Sequence, residues 1–102
     1  MIFYMKYPII TVGGFMMEIR YSKAAIRFLS KLDKKSVTRI RTAVQGLTHQ
    51  PPIGDIKRMQ GFADQRKRLR VGEWRVIFRY DTDGAVEVLL VLDIGNRGDI
   101  YK

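Results

Sequence analysis

Arginines alternate with other residues through the segment RKRLRVGEWRVIFRY, residues 66–80, which otherwise resembles two β-strands joined by a tight turn. Successive strand residues point to opposite faces of a sheet, so the arginines of each strand share one face. A guanidinium group binds phosphate oxygens through two parallel hydrogen bonds. The pattern therefore predicts a phosphate-binding sheet surface, here named the arginine face, which consists of Arg66, Arg68, Arg70, Arg75 and Arg79.

The competing interpretation of this surface is a solvated face whose charge only keeps the protein soluble. Like charges opposite each other on neighbouring strands destabilise a sheet by roughly 0.2–1 kcal/mol per pair, and a bound polyanion removes that cost. The same parity on two adjacent strands, with arginine in preference to lysine, favours a nucleic acid as the occupant.

The overall composition restricts the classes of protein to which the chain can belong. Its 102 residues suffice for one domain, and its net charge of +9 favours a nucleic acid, an anionic membrane or an acidic protein as partner. The chain has no cysteine, which excludes disulfides and thiolate chemistry and is typical of a reducing compartment, so a cytoplasmic location is expected. With a single histidine, no metal site and no cofactor is expected.

Residues 1–15 are predicted to be an N-terminal extension that precedes a domain of residues 16–102. Lys6 and Pro8 interrupt the apolar run, which is too short for a membrane span of about 18 residues. Met5, Met16 and Met17 are each suitable natural starts. The extension is thus interpreted either as the product of an upstream start codon or as an extra strand.

Two amphipathic helices are predicted after a first strand, MEIRYS. Ser22 and Asp33 are suitable N-caps for the two helices. Apolar residues at helical spacing follow each cap, namely Ala25, Phe28, Leu29 and Leu32 in the first helix and Val37, Ile40, Val44 and Leu47 in the second. The short linker between them predicts an antiparallel helical hairpin, which the prolines of HQPPIGD end.

From Ile56 onward the hydrophobic period is two, which predicts four strands: IKRMQG, then residues 66–71, 74–81 and 86–94. The order β-α-α-β-β-β-β indicates an α+β fold in which the hairpin packs on one face of a small, mostly antiparallel sheet. The residues predicted to face the helices are Trp74, Val76, Phe78 and Tyr80 on one strand and Val86, Val88, Leu90, Leu92 and Ile94 on the last.

Three motifs resemble the toxins of the RelE/ParE superfamily, specifically the RelE branch of type II toxin–antitoxin systems. They are K-x-x-x-G beginning at Lys57, R-x-R-x-G-x-[WY]-R beginning at Arg68, and G-x-R-x-x-x-Y beginning at Gly95. The resemblance covers residues 17–102. It implies a RelE-like fold and a metal-independent endoribonuclease that cuts mRNA in the ribosomal A site, by attack of a ribose 2′-hydroxyl on its own phosphodiester, and so inhibits translation.

The resemblance also implies roles for individual residues. The implied catalytic residues are Arg68, Arg75, Arg97 and Tyr101, and Arg66 also matches the family by position. The predicted RNA-binding residues are Arg66, Lys67, Arg70, Arg79 and Lys57. Arg68 and Arg75 are expected to stabilise charge on the phosphorane. Arg97 is expected at the leaving group, and Tyr101 is expected to orient or deprotonate the 2′-hydroxyl. Lysine is common in the family where Arg66 and Arg68 stand, and arginine is a poor proton carrier.

The implied partners are a cognate acidic antitoxin protein, the ribosome and mRNA, with operator DNA reached only through the antitoxin and no membrane. Two alternatives stay open at the level of sequence. One is a ParE-like inhibitor of DNA gyrase. The other is a catalytically inactive nucleic-acid-binding module that acts as a corepressor with its antitoxin.

Overall fold

A computed structural model describes residues 3–4, 10–12 and 15–96 of the chain. The elements, in chain order, are β1 (Phe3–Tyr4), β2 (Ile10–Val12), β3 (Phe15–Ser22), α1 (Lys23–Leu29), α2 (Lys34–Gln45), a 3₁₀ turn (Gly46–Thr48), β4 (Asp55–Arg58), β5 (Lys67–Val71), β6 (Trp74–Asp83) and β7 (Val86–Asn96). The α+β fold expected from the sequence is confirmed.

Both helices begin at the predicted caps. The Ser22 hydroxyl accepts a hydrogen bond from the Ala25 amide at 3.1 Å, and an Asp33 carboxylate oxygen accepts one from the Ser36 amide at 3.4 Å. These side chains satisfy amides that have no partner within the first helical turn. Local sequence therefore sets where each helix starts.

The strands form one mixed sheet in the order β1-β3-β7-β6-β5-β4, and β2 also pairs with β3. β3 and β7 are parallel and are connected through the helical hairpin and strands β4 to β6, whereas all other pairs are antiparallel. The helices cover one face of this sheet, where Ile19, Tyr21, Ile40, Val44 and Phe78 are among the buried residues. The opposite face carries the arginines.

The prediction that Val88, Leu90 and Leu92 face the helices is wrong. A β-bulge lies in the pairing of β6 with β7, since Ile77 pairs with Asp93 whereas Phe78 pairs with Val91. The extra residue, Leu92, reverses the alternation along β7. Towards the helices the strand therefore presents Leu89, Val91 and Ile94.

A second apolar cluster results on the arginine face, formed by Ile77, Val88, Leu90 and Leu92, with Met59 packed against it. All four cluster residues are buried. The arginines thus surround an apolar patch and do not form a uniformly charged surface.

The N-terminal strands β1 and β2 both pair antiparallel with β3. Whether residues 1–15 are an extension to a separate domain stays a prediction. Among the described residues, no helix has the length and apolar character needed to cross a lipid bilayer.

Candidate nucleic-acid interface

Strand register places the predicted arginines on one side of the sheet. Arg70 and Arg75 are direct cross-strand partners, and Arg68 lies between Lys57 on β4 and Ile77 on β6. Residues that oppose each other directly across strands project from the same face. Lys57 therefore joins the arginine face as a sixth cation.

Carboxylates compensate two of these arginines. Arg66 Nη2 lies 2.8 Å from Asp64 Oδ2, and Arg79 Nη1 lies 3.0 Å from Asp81 Oδ2. Arg79 Nε is also 3.7 Å from Asp64 Oδ2. The hydrogen bond with Asp64 raises the pKa of Arg66, and the same bond lowers the pKa of Asp64. This end of the face is close to electrically neutral.

Three other cations on the face have side chains without a partner. Within the described part of the chain, the side chains of Lys57, Arg68 and Arg70 make no hydrogen bond and no ion pair. Arg68 is half-buried and its Nε is a buried donor without an acceptor, whereas Lys57 and Arg70 are exposed. A buried polar group is normally hydrogen-bonded, so the Nε of Arg68 gains an acceptor, such as a phosphate oxygen, only if the guanidinium turns outward.

Arg75 has a different environment from the other four arginines. It is only 3% exposed, and its Nη1 donates to the carbonyl oxygens of Trp74 at 3.1 Å and Gly72 at 3.4 Å. Its Nε has no acceptor. The side chain is thus folded back onto the turn between β5 and β6, and no carboxylate balances its charge within the described chain.

Lys67 lies on the helix side of the sheet, as strand alternation indicates. Its Nζ is 5.3 Å from the centre of the Tyr80 ring, and the Tyr80 hydroxyl donates to the Leu47 carbonyl at 2.8 Å. Burial raises the pKa of Tyr80 to about 12. The structure therefore separates Lys67 from the arginine face, and its contact with RNA stays a prediction without support from its neighbours.

The remaining predicted catalytic residues, Arg97 and Tyr101, lie outside the described residues. The last described residues of β7 include Gly95, which is the cross-strand partner of Arg75. Their roles stay predictions.

Sequence reasoning missed several groups on the arginine face. Glu18 and Asp83 both pair with Arg20, whose pKa the two carboxylates raise, Asp83 having the larger effect. The loop between β4 and β5 contributes Asp64 and also Phe62, whose ring lies under the Arg66 guanidinium. The i, i+2 spacing of Glu18 and Arg20, and of Asp64 and Arg66, is the sequence signal that predicts such neighbours on one face.

Comparison with known proteins identifies the class to which this arrangement belongs. Residues 19–101 match the model of a family described as the ParE toxin of type II toxin–antitoxin systems, parDE. The chain belongs to this family, within the RelE/ParE superfamily of toxins. A comparison with curated proteins finds no match.

Three similar solved structures are complexes of a toxin with its antitoxin. The archaeal RelE–RelB complex from Pyrococcus horikoshii OT3 has 24% identity, covers 87% of this chain and 96% of its own, and gives a TM-score of 0.59. The RelBE2 complex from Mycobacterium tuberculosis has 20% identity, coverages of 78% and 95%, and a TM-score of 0.61. The RelB–RelE complex from Methanococcus jannaschii has 20% identity, coverages of 79% and 93%, and a TM-score of 0.56. At these identities the similarity shows a shared fold.

Proposed function

We propose that this toxin inhibits translation by cutting mRNA on the ribosome, through attack of a ribose 2′-hydroxyl on the adjacent phosphodiester. The observation that carries the proposal is the set of cations whose side chains have no partner in the described chain, Lys57, Arg68 and Arg70, on the sheet face opposite the helices. Cations without internal partners bind phosphate without first breaking an ion pair.

In the proposed reaction, negative charge develops on the pentacoordinate phosphorus and Arg68 stabilises it. Arg75 adds a second guanidinium once it leaves the carbonyl oxygens of Gly72 and Trp74. Tyr101 is proposed to orient or deprotonate the attacking hydroxyl, and Arg97 to act at the leaving 5′-oxygen. No step requires a metal ion.

An acidic antitoxin is the proposed regulator, because a segment with carboxylates laid over the arginine face compensates the free cations and covers the RNA site at once. The three similar structures were each solved with a RelB-type partner, which supports an antitoxin here. Contact with operator DNA is proposed to occur only through this antitoxin, and the cytoplasm is the proposed site of action.

Expression of Arg68→Ala in bacteria tests the proposal. We expect the wild-type protein to arrest growth and to produce new 5′ ends in ribosome-bound mRNA, and Arg68→Ala to lose both effects by at least about tenfold, since loss of one preorganised donor typically costs 10²–10³ in rate. Arg27→Ala is the matched control, because Arg27 is an exposed arginine on α1, remote in sequence from the face. Message cleavage that persists undiminished in Arg68→Ala rejects the proposed site.

Inhibition of DNA gyrase is the second candidate function, favoured by the description of the matching family as ParE toxins. It predicts intact mRNA, induction of the DNA-damage response and loss of gyrase supercoiling in the presence of purified toxin. Measuring mRNA ends and supercoiling on the same preparation distinguishes the two functions.

A further inference from the structure

An exposed aromatic residue stands at one end of the arginine face. Phe62 lies in the loop between β4 and β5 and is 45% exposed, and Ile53 is the only other large hydrophobic residue exposed to this extent among those described. Single exposed apolar residues are common in proteins, so exposure alone assigns no role. The surroundings of Phe62 are more informative.

The Phe62 ring is stacked with a guanidinium group. Arg66 Cζ lies 4.3 Å from the ring centre. Asp64 holds that guanidinium by two parallel hydrogen bonds, from Arg66 Nε to Oδ1 at 3.0 Å and from Nη2 to Oδ2 at 2.8 Å. The plane of the Arg66 side chain is therefore fixed, and its charge is compensated before any ligand arrives.

The loop that carries Phe62 is anchored at both ends. The Met59 amide donates to the Arg66 carbonyl at 3.2 Å, and the Met59 side chain packs on the apolar cluster around Ile77. Gly61 has a φ of +86°, a left-handed conformation that favours glycine. These contacts hold the loop against the sheet. Phe62 belongs to neither of the two buried apolar clusters.

Phe62 contacts Arg66, and Arg66 lies next to one of the cations without a partner, Arg68. Arg66 and Arg68 project from the same side of the chain two residues apart, which is roughly 6.5 Å along a strand. A phosphate bound by Arg68 thus brings a neighbouring base of the same nucleic-acid strand within reach of the Phe62 ring. Proteins that bind unpaired nucleic acid combine such a cationic track with aromatic rings on which bases stack.

We propose that Phe62, backed by Arg66, is a stacking platform for one unpaired base of an RNA strand whose phosphates lie on Lys57, Arg68 and Arg70. The inference rests on the proposed binding of RNA and assigns Arg66 a positioning role in place of a phosphate contact. It places recognition of a base at the β4–β5 loop, outside the residues proposed for bond cleavage.

Fluorescence anisotropy with a labelled hexanucleotide of 2′-O-methyl RNA tests the platform, because this probe cannot react through a 2′-hydroxyl. The variants are Phe62→Leu, which keeps an apolar side chain without a ring, and Phe62→Trp, which enlarges the ring. Ile53→Ala is the matched control for removal of exposed apolar surface, and Arg68→Ala reports phosphate binding. A second set of probes carries one abasic residue at each position in turn.

We expect Phe62→Leu to weaken binding about fivefold or more, Phe62→Trp to retain it, and Ile53→Ala to have no effect. An abasic residue at one position of the RNA is expected to weaken binding by the wild-type protein by the same factor. The same probe is expected to leave binding by Phe62→Leu unchanged. This loss of dependence on one base is a result that a structural role of Phe62 does not produce.

Equal binding by Phe62→Leu and wild type, together with weaker binding by Arg68→Ala, overturns the platform and leaves the proposed RNA site in place. Absence of RNA binding by the wild-type protein overturns both. Weaker capture of the antitoxin by Phe62→Leu with unchanged RNA affinity also overturns the platform and assigns the ring to the protein partner.

Discussion

Arg70 and Arg75 lie directly opposite each other on β5 and β6. Two guanidinium groups in this relationship repel. The Arg70 side chain is exposed, whereas the Arg75 guanidinium turns to the carbonyl oxygens of Gly72 and Trp74 and is buried. The fold thus directs two like charges into different environments. Burial of the Arg75 charge is expected to lower stability, whereas the proposed function requires that charge, so stability and function make opposite demands on Arg75.

Replacement of Arg75 by methionine separates those demands. A buried cation without a carboxylate is destabilising, and an apolar side chain of similar length removes that cost. We expect Arg75→Met to unfold in urea with an unchanged or higher free energy of unfolding, by up to about 1–2 kcal/mol, and to lose growth arrest. A lower free energy of unfolding shows instead that the bonds to the two carbonyl oxygens stabilise the turn.

Removal of the exposed member of the pair is expected to have a smaller effect. Arg70 also has Asp55 as its direct cross-strand partner on β4, so the repulsion is isolated by making Arg70→Gln in an Asp55→Asn background, where we expect a gain of roughly 0.2–1 kcal/mol in the free energy of unfolding. The gain is expected to shrink in 1 M salt, where charges are screened over about 3 Å. A salt-independent change excludes electrostatic repulsion as its cause.

The Ser22 hydroxyl makes two buried hydrogen bonds, since it caps α1 and also donates to the Leu92 carbonyl at 2.7 Å. Ser22→Ala removes both the cap and the buried hydrogen bond to that carbonyl, which together are expected to cost about 1–3 kcal/mol of unfolding free energy. Ser30→Ala is the control, because the Ser30 hydroxyl donates to the Arg27 carbonyl in an exposed position. Urea denaturation of both variants measures the difference, and equal costs contradict a special role for Ser22.

The ion pair of Asp64 with Arg66 predicts a pH dependence of stability. The side-chain hydrogen bond from Arg66 lowers the pKa of Asp64 below its usual 3.8. A carboxylate with a lower pKa in the folded than in the unfolded state adds stability above its unfolded pKa, and this stability is lost as the pH falls through the folded pKa.

We therefore expect Asp64→Asn to be less stable than wild type at pH 7, by less than about 1 kcal/mol because the pair is partly exposed. The difference is expected to narrow below about pH 4 and to vanish at lower pH. Thermal unfolding from pH 7 to pH 2.5 measures it, with Glu73→Gln as the control for loss of a turn carboxylate. A difference that stays constant with pH is inconsistent with this ion pair.

The bulge in β7 predicts which core residues are energetically coupled. Ile77 and Leu90 belong to one cluster, whereas Leu89 lies in the helix-side core. In double-mutant cycles we expect Ile77→Ala to couple with Leu90→Val by about 0.5 kcal/mol or more, and to be additive with Leu89→Val. Coupling of Ile77 with Leu89 and additivity with Leu90 would instead support the prediction from simple alternation, in which Leu90 faces the helices.

Much of the fold is readable from local sequence. The two helices begin at Ser22 and Asp33 because capping depends on residues three positions apart. The arginines share a face because alternation along β5 and the first part of β6 is uninterrupted. Trp74 is buried with the helix-side core, as its parity with Val76 and Phe78 predicts.

Local sequence did not predict which residues of β7 face the helices. Residues 88–92 are all apolar, so periodicity does not distinguish the two sides of this part of β7, and the bulge that decides between them arises only when β7 pairs with β6.

By itself, then, the sequence determined the order of elements, the helix starts and the arginines' common face, since each depends on residues close together along the chain. The ion pairs of Arg66 with Asp64 and of Arg79 with Asp81 join residues two positions apart, so they too are readable locally. Tertiary structure alone decided the placement of Lys57 beside Arg68, the burial of the Arg75 guanidinium and the facing of β7 beyond its bulge. Each of these depends on the pairing of separate strands, which the order of residues within one strand does not reveal.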